Sequence, residues 1–253
     1  MSKDNRTSLE PYLADKPPLV RLWWWLVMFG FRLLYNEMAW TYDLVSWLVS
    51  LGQWRTWQRT ALAHLGLPAK ARILEIAFGT GNLQLDLFAA GYQRFGVDLS
   101  PFMGRIARHK LHRHHLKAPL ARAYAQVLPF PNQVFDAVVS TFPAPFIIEP
   151  DTLHEARRVL KPDGRLIIVV NGVLTGGGVL RDVLETAYRI TGQRGPWPAE
   201  LGERFQEAGF TLEMRAHPCP YSIAYILVAT RRHRAAEATA AQDTPGKQRQ
   251  SVE

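Results

Sequence analysis

The sequence predicts an α/β fold in which a mostly parallel sheet is covered by helices on both faces. One observation is that short apolar runs alternate with segments whose apolar residues recur at helical spacing, the pattern of a parallel sheet. The strands are predicted at residues 72–77, 93–98, 120–125, 135–141 and 165–171. The second observation is a Gly-x-Gly turn directly after the first of these strands.

The stretch 71–87 carries that turn. A buried run at 73–77 leads into Gly79-Thr80-Gly81, and leucines at 83, 85 and 87 then begin a helix. Glycine has no Cβ, so the turn can take backbone angles closed to other residues and let a ligand approach the main chain. The free amides at the start of the helix point into the same crevice. The stretch therefore predicts a ligand site between a strand and a helix.

The residues around the turn narrow the kind of ligand. A dinucleotide fingerprint needs a third glycine, and that position holds Gln84. Glu75 lies at the end of the strand, where a carboxylate could meet a cationic amino group. Asp98 ends the next strand, near the spacing at which an acid binds ribose hydroxyls. These features favour a nucleoside with a cationic group over a dinucleotide.

This Glu-x-Ala-x-Gly-x-Gly pattern with a distant Asp resembles the S-adenosylmethionine (SAM) site of the class I methyltransferases. Further segments resemble the ubiquinone/menaquinone-biosynthesis methyltransferases within that class, so that the resemblance covers residues 38–170. They are residues 39–44, 50–52, 54–59, 128–140 and 155–166.

The resemblance implies a Rossmann-like, seven-stranded sheet, completed by strands near 210–216 and 222–230, with an N-terminal helical extension. It also implies SAM as cofactor and a set of cofactor-binding residues. These are Tyr42, Glu75, Ala77, Gly79, Thr80, Gly81, Asp98, Leu99, Ala125, Gln126 and Thr141. His64, His154, His217 and Tyr221 could act as a base by residue type alone, but no motif supports them, so we assign no catalytic residue.

Several of these assignments have alternatives. Glu75 either contacts the cofactor or caps the glycine turn. Tyr42 either closes over the methionine end of the cofactor or packs in a helical core. The adenine is held either by the backbone amide of Ala125, which we favour, or by stacking on Tyr124.

We expect four regions along the chain. They are a disordered lead-in (1–18), a helical cap (19–66), the SAM-binding domain (67–230) and a disordered tail (231–253). Within the domain, helices are predicted near 179–191 and 199–208. The glycine-rich segment 172–178 is expected to be a mobile loop that is too flexible for a strand.

The apolar segment 22–31 contains three consecutive tryptophans and is flanked by Arg21 and Arg32. It is too short to cross a bilayer, which needs about 20 apolar residues. It is either a helix packed on the domain as a lid, which we favour slightly, or an interfacial membrane anchor. The sequence leaves both alternatives open.

The formal net charge is +8, and the segment 105–117 holds five Lys or Arg and no acid. We expect this segment to be a solvated helix face rather than a nucleic-acid site, because no nucleic-acid module accompanies it. Its histidines are expected to bind no metal. The single cysteine, Cys219, fits a cytoplasmic protein.

The predicted function is methyl transfer from SAM to a small, hydrophobic acceptor such as a quinone, a lipid or another metabolite. The alternative is a non-catalytic module of the same fold that binds a membrane surface or a protein partner. Retention of Glu75, Gly79, Gly81 and Asp98 favours the enzyme.

Overall fold

The computed structural model describes residues 18–117, 119–190 and 200–232. Its strands are β1 (Arg72–Ile76), β2 (Gln93–Asp98), β3 (Leu120–Arg122), β4 (Phe135–Thr141), β5 (Leu160–Leu174), β6 (Phe210–Cys219) and β7 (Ser222–Arg231). Its helices are α1 (Pro18–Tyr35), α2 (Tyr42–Val49), α3 (Trp54–Ala63), α4 (Asn82–Ala89), α5 (Pro101–Arg113), α6 (Pro150–Val159), α7 (Val179–Ile190) and α8 (Leu201–Glu207). Two 3-10 turns lie at Ala39–Thr41 and Pro145–Ile148.

The seven strands form one sheet in the order β3-β2-β1-β4-β5-β7-β6. The pairs among β1 to β5 are parallel, and β7 pairs antiparallel with both β5 and β6. The predicted seven-stranded, mostly parallel sheet is therefore confirmed. Its parallel strands bring their carboxyl ends to one edge, where the loops that follow β1, β2 and β4 meet.

The sheet has an apolar core on each face, because alternate residues of a strand point to opposite sides. One core packs side chains of α6 and α8 against Leu74, Val138 and Ile168. The other packs α3 and α4 against Ile73 and Val139. Helices therefore cover both faces, as predicted.

The expectation that segment 172–178 is too flexible for a strand is wrong for its first three residues. β5 continues to Leu174, and Gly172 pairs with Ala224 of β7. A Cβ on Gly172 would overlap the ring of Trp57, so the glycine lets the indole lie against the strand. Gly172 therefore serves close packing here rather than loop flexibility. The strand predicted at 120–125 is also shorter, because β3 ends at Arg122.

The three helices that precede β1 differ in how they pack. The side chains of Trp57, Ala61 and Leu65, in and just after α3, are buried against the sheet. The main contact of α1 is instead with the turn Ala39–Thr41, and several of its apolar side chains, Leu22 and Trp25 among them, are exposed. This exposure does not favour a helix packed on the core. Among the described residues, no helix is long and apolar enough to cross a bilayer.

Three of the sequence-based expectations fall outside the described residues. They are the lead-in before Pro18, the segment 191–199 between the two predicted helices, and the tail from residue 233 onward.

Candidate functional site

The predicted Gly-x-Gly turn lies at the carboxyl edge of the sheet, between β1 and α4. The backbone there is unusual, because Ala77, Gly79 and Gly81 all have positive φ, at 60°, 53° and 79°. The Ala77 amide donates to the Val97 carbonyl at 2.8 Å, so the turn stays attached to β2 after β1 has ended. The turn is thus fixed by its neighbouring strand.

The two glycines of the turn meet different surroundings. A Cβ on Gly81 would lie 2.9 Å from the Cβ of Ala107 on α5, so this glycine allows close helix packing. A Cβ on Gly79 would meet no atom within 4 Å. Gly79 therefore faces open space, where a ligand can approach the main chain.

Asp98, the last residue of β2, points its carboxylate at this turn. Its Oδ2 accepts from the Gly79 amide at 2.8 Å, and its Oδ1 accepts from the Ser100 amide at 2.8 Å. Burial raises the pKa of Asp98, and these two hydrogen bonds offset part of that rise. Each carboxylate oxygen keeps a lone pair for another donor, such as a ribose hydroxyl.

Glu75 lies under the turn and is 1% exposed. Its Oε2 accepts from Gln84 Nε2 at 2.7 Å, and the same amide donates to the Phe95 carbonyl at 3.2 Å. Burial raises the pKa of Glu75 to about 8 despite the hydrogen bond from Gln84. Sequence reasoning had noted Gln84 only as the residue replacing a glycine, and missed that it holds the Glu75 carboxyl.

Thr80 connects the turn to the helical cap. Its hydroxyl donates to Asp43 Oδ1 at 2.7 Å, and Asn82 Nδ2 donates to the same oxygen at 3.0 Å. Lys110 Nζ, on α5, bonds Asp43 Oδ2 at 2.8 Å and Asn82 Oδ1 at 2.7 Å. Burial acts to raise the pKa of Asp43, but these donors outweigh it and hold the pKa below its usual value. The network ties α2, α4 and α5 together beside the turn.

An aromatic cluster lies between the cap and the carboxyl ends of β4 and β5. The ring of Trp54 is 4.0 Å from that of Phe142 and 6.2 Å from that of Tyr42, measured between centroids. Thr141, the last residue of β4, accepts from Gln58 Nε2 at 3.3 Å. The indole nitrogen of Trp54 is buried without a hydrogen-bond partner among the described residues. The cluster is thus an apolar surface beside the crevice.

The segment after β3 supplies the other predicted residues. Ala125 is buried, the ring of Tyr124 is half exposed, and Gln126 donates to Glu149 at 2.8 Å. Leu99 follows Asp98, is exposed, and accepts from Arg122 Nε through its carbonyl at 3.0 Å. The elements that carry the predicted residues thus surround the turn and the carboxyl edge, while their contact with a cofactor stays a prediction.

The four candidate bases named by residue type have other surroundings. His64 and His217 pack edge to face, with centroids 5.4 Å apart. His154 is exposed on α6, and Tyr221 is exposed in the turn between β6 and β7. No described hydrogen bond joins any of them to Gly79, Asp98 or Thr141. The structure therefore adds no support for a base among them.

Comparison with known families and proteins agrees with this geometry. Residues 73–164 match the family model of a methyltransferase domain. The chain is similar to the demethylmenaquinone methyltransferase of Thermus thermophilus, with 39% identity over 139 residues, covering 54% of this chain and 63% of the relative. A ubiquinone/menaquinone biosynthesis C-methyltransferase of Citrifermentans bemidjiense is 33% identical over 144 residues, covering 54% and 61%. The chain thus spans less than two thirds of these relatives' length.

Solved structures share the fold at lower identity. A phosphoethanolamine N-methyltransferase of Haemonchus contortus, in complex with S-adenosyl-L-methionine, has a TM-score of 0.54 at 16% identity, covering 72% of this chain and 53% of that chain. The geranyl diphosphate C-methyltransferase of Streptomyces coelicolor has a TM-score of 0.53 at 13% identity, covering 70% and 78%. The resemblance of the chain to the class I SAM-dependent methyltransferases, and to the ubiquinone/menaquinone-biosynthesis methyltransferases among them, is confirmed.

Proposed function

We propose that this protein is an enzyme that transfers a methyl group from SAM to a small, hydrophobic acceptor, with a quinone-like ring as the favoured class. The observation that carries the proposal is the joint placement of the open Gly79 and the Asp98 carboxylate at the carboxyl edge of the sheet. The relatives' names support both the reaction and the acceptor class, since they are named as methyltransferases of quinone biosynthesis. These names do not support the non-catalytic alternative.

The residues at the crevice fit SAM. Asp98 would accept from the ribose hydroxyls with its remaining lone pairs, and the space beside Gly79 would admit the cofactor against the main chain. Leu99, Ala125 and Gln126 follow strands β2 and β3, on the side proposed for the adenosine. Glu75 is buried and bonded to Gln84, and its pKa is raised to about 8, so an ionic contact with the cationic end would require bound SAM to lower that pKa.

The bound cofactor supplies an electrophilic methyl group on a sulfonium. The protein must hold the acceptor in line with that group at about 3 Å, and such orientation accounts for much of the rate. Tyr42, Trp54 and Phe142 would hold an apolar ring next to the crevice and exclude water from it.

A labelled-methyl assay tests this function. The full chain is incubated with methyl-labelled SAM and either a reduced demethylated quinone or a polar amine of similar size. We expect label in the quinone product alone, and loss of that label in Asp98→Ala. Transfer to the amine only would contradict the acceptor class, and no transfer to any acceptor, together with no SAM binding, would contradict the enzyme.

A further inference from the structure

We propose that the protein docks on anionic membranes through one surface. This docking surface comprises the exposed apolar side chains of α1, the turn Ala39–Thr41 and α2, together with the basic side chains of α5. It extends well beyond the tryptophan-rich segment that the sequence singled out. Docking of this kind requires neither cofactor nor methyl transfer, so it stands independently of the proposed function.

The apolar part of the surface follows two helix faces. On α1, exposed apolar side chains recur one helical turn apart, at Leu22, Trp25, Leu26 and Phe29, and the Trp25 and Phe29 rings stack with centroids 5.3 Å apart. The same spacing continues from the 3-10 turn through α2. There the exposed residues are Trp40, Leu44, Trp47, Leu48 and Leu51. No described residue covers either face, and exposed apolar patches of this size mark sites of interaction with a partner or a membrane.

The exposure of the tryptophans is what distinguishes this surface. Trp25, Trp40 and Trp47 are 57%, 77% and 58% exposed, whereas Trp57 on α3 is 1% exposed. Tryptophan is enriched where protein meets the headgroup region of a bilayer, because its ring is apolar and its N–H is polar. The surface therefore has the composition of an interfacial contact.

The basic part is joined to the apolar part through the 3-10 turn. Ala39–Thr41 contacts α1, α2 and α5, so the three helices meet at this turn, where Ala39 is buried and Trp40 is exposed. Residues 105–117, on and just after α5, hold five Lys or Arg and no acid, and Arg105 and Arg108 are exposed. Tyr35, the last residue of α1, accepts through its carbonyl from Ser100 Oγ at 2.8 Å, which fixes α1 to the start of α5.

The acids described within the apolar part of this surface are each paired with a cation. Residues 18–53 contain two acids, Glu37 and Asp43. Arg32 lies 3.6 Å from Glu37, and Lys110 lies 2.8 Å from Asp43. The remaining charge of the surface is positive, which is complementary to anionic lipid headgroups.

A second copy of the chain is the other occupant to consider. A second copy that docks through the same surface would offer the cations of α5 only Glu37 and Asp43, and these acids already pair with Arg32 and Lys110. An anionic bilayer covers the same apolar side chains and attracts the same cations. The positive charge of α5 therefore favours an anionic membrane over a second copy of the chain as the occupant of this surface.

Vesicle flotation of the full chain tests the proposal, using vesicles of phosphatidylcholine with and without phosphatidylglycerol. We expect flotation with the anionic vesicles and little with phosphatidylcholine alone, decreasing as salt is raised. The double variant Trp40→Ser, Trp47→Ser should lose most of the binding. Arg105→Glu with Arg108→Glu should weaken binding by at least about fivefold per residue, since one surface cation contributes roughly that factor.

Matched controls separate docking from damage to the fold. Met214→Ser replaces a half-exposed apolar residue on β6, at the opposite edge of the sheet from α5, and Arg165→Glu reverses an exposed charge on β5. Both should float like the parent, and every variant should keep the parent's melting temperature. Full-length protein that ignores anionic vesicles would overturn the proposal. Control variants that bind vesicles as weakly as the tryptophan variant would also overturn it. So would a full chain that binds no vesicles but forms a dimer, if Trp40→Ser dissociates that dimer.

Discussion

The crevice around the glycine turn and the surface of the helical cap use their side chains in opposite ways. At the crevice, Asp98, Glu75 and Thr80 are each held by named hydrogen-bond partners, and the turn itself is fixed to β2. On the cap, Trp25, Trp40 and Trp47 are exposed. The groups of the crevice are thus held by the chain's own hydrogen bonds, while the cap presents apolar side chains that no described residue covers. Variants of the two regions should therefore change different observables.

The largest change in the free energy of unfolding should come from Glu75→Gln, which tests the cost of ionising the buried carboxyl under the crevice. The folded pKa of Glu75, about 8, is above the ordinary value of 4.5. The neutral Glu75 carboxyl therefore contributes stability to the folded protein that is fully present below pH 4.5. This contribution is lost as pH rises through about 8, where the buried carboxyl must ionise. Glutamine cannot ionise, so the variant should be more stable than the parent at pH 8, by up to about 4 kcal/mol, and similar near pH 5.

Urea denaturation at the two pH values measures this difference. Comparing variant and parent at pH 5 and at pH 8 provides the control. Loss of the Gln84 contact alone would change the free energy of unfolding equally at both pH values. An equal difference at pH 5 and pH 8 would show that Glu75 does not titrate as described.

Gly81→Ala should lower the protein's free energy of unfolding by about 2 to 4 kcal/mol. The added methyl group would crowd Ala107 at 2.9 Å and force a non-glycine residue to a φ of 79°. Gly79→Ala is the matched control, since it has a similar strain at φ 53° but no atom within 4 Å, and should cost about 1 to 2 kcal/mol. Melting curves of the two variants check this order. Equal melting temperatures would mean that α5 does not pack against the turn as described.

Asp98→Ala should weaken SAM binding by about 1.5 to 3 kcal/mol, because a charge-assisted hydrogen-bond partner of the ribose is lost. Asp98→Asn should be milder, since the amide keeps one acceptor oxygen. Calorimetric titration of both variants with SAM measures the effect. Parent-like affinity in both would remove Asp98 from the cofactor site.

The smallest effect should come from Lys110→Met, which removes the ion pair between α5 and the cap. The pair is half exposed, so solvent screens it and the loss should stay under about 1 kcal/mol at pH 7. The pKa of Asp43 is lower in the folded protein than its usual value. The stability from this pair is therefore present at pH values above the usual pKa and is lost as pH falls through the folded pKa. Urea denaturation at pH 7 and at pH 3 checks it. The loss should be smaller at pH 3, where the bond from Lys110 to Asn82 still contributes, and an equal loss at both pH values would contradict an ionic origin.

The crevice backbone could be predicted from sequence because its signals are local. A glycine turn after an apolar strand, and an acid at the end of the next strand, placed Gly79, Gly81 and Asp98 correctly at the carboxyl edge. Interactions between residues far apart in the chain could not be predicted this way. Lys110 and Asp43 are brought together by the packing of α5 against the cap, and Gly172 lies in β5 with the Trp57 ring packed against it. The exposure of α1 likewise depends on tertiary packing, which helical periodicity alone does not determine.

Calorimetric titration of the full chain with SAM at pH 7 tests the central claim, that this crevice is a SAM site. We predict saturable binding with a dissociation constant of roughly 1 µM to 1 mM, the range of enzyme ligands, together with a raised melting temperature at saturating SAM. The absence of both binding heat and thermal stabilisation in correctly folded protein would contradict the claim.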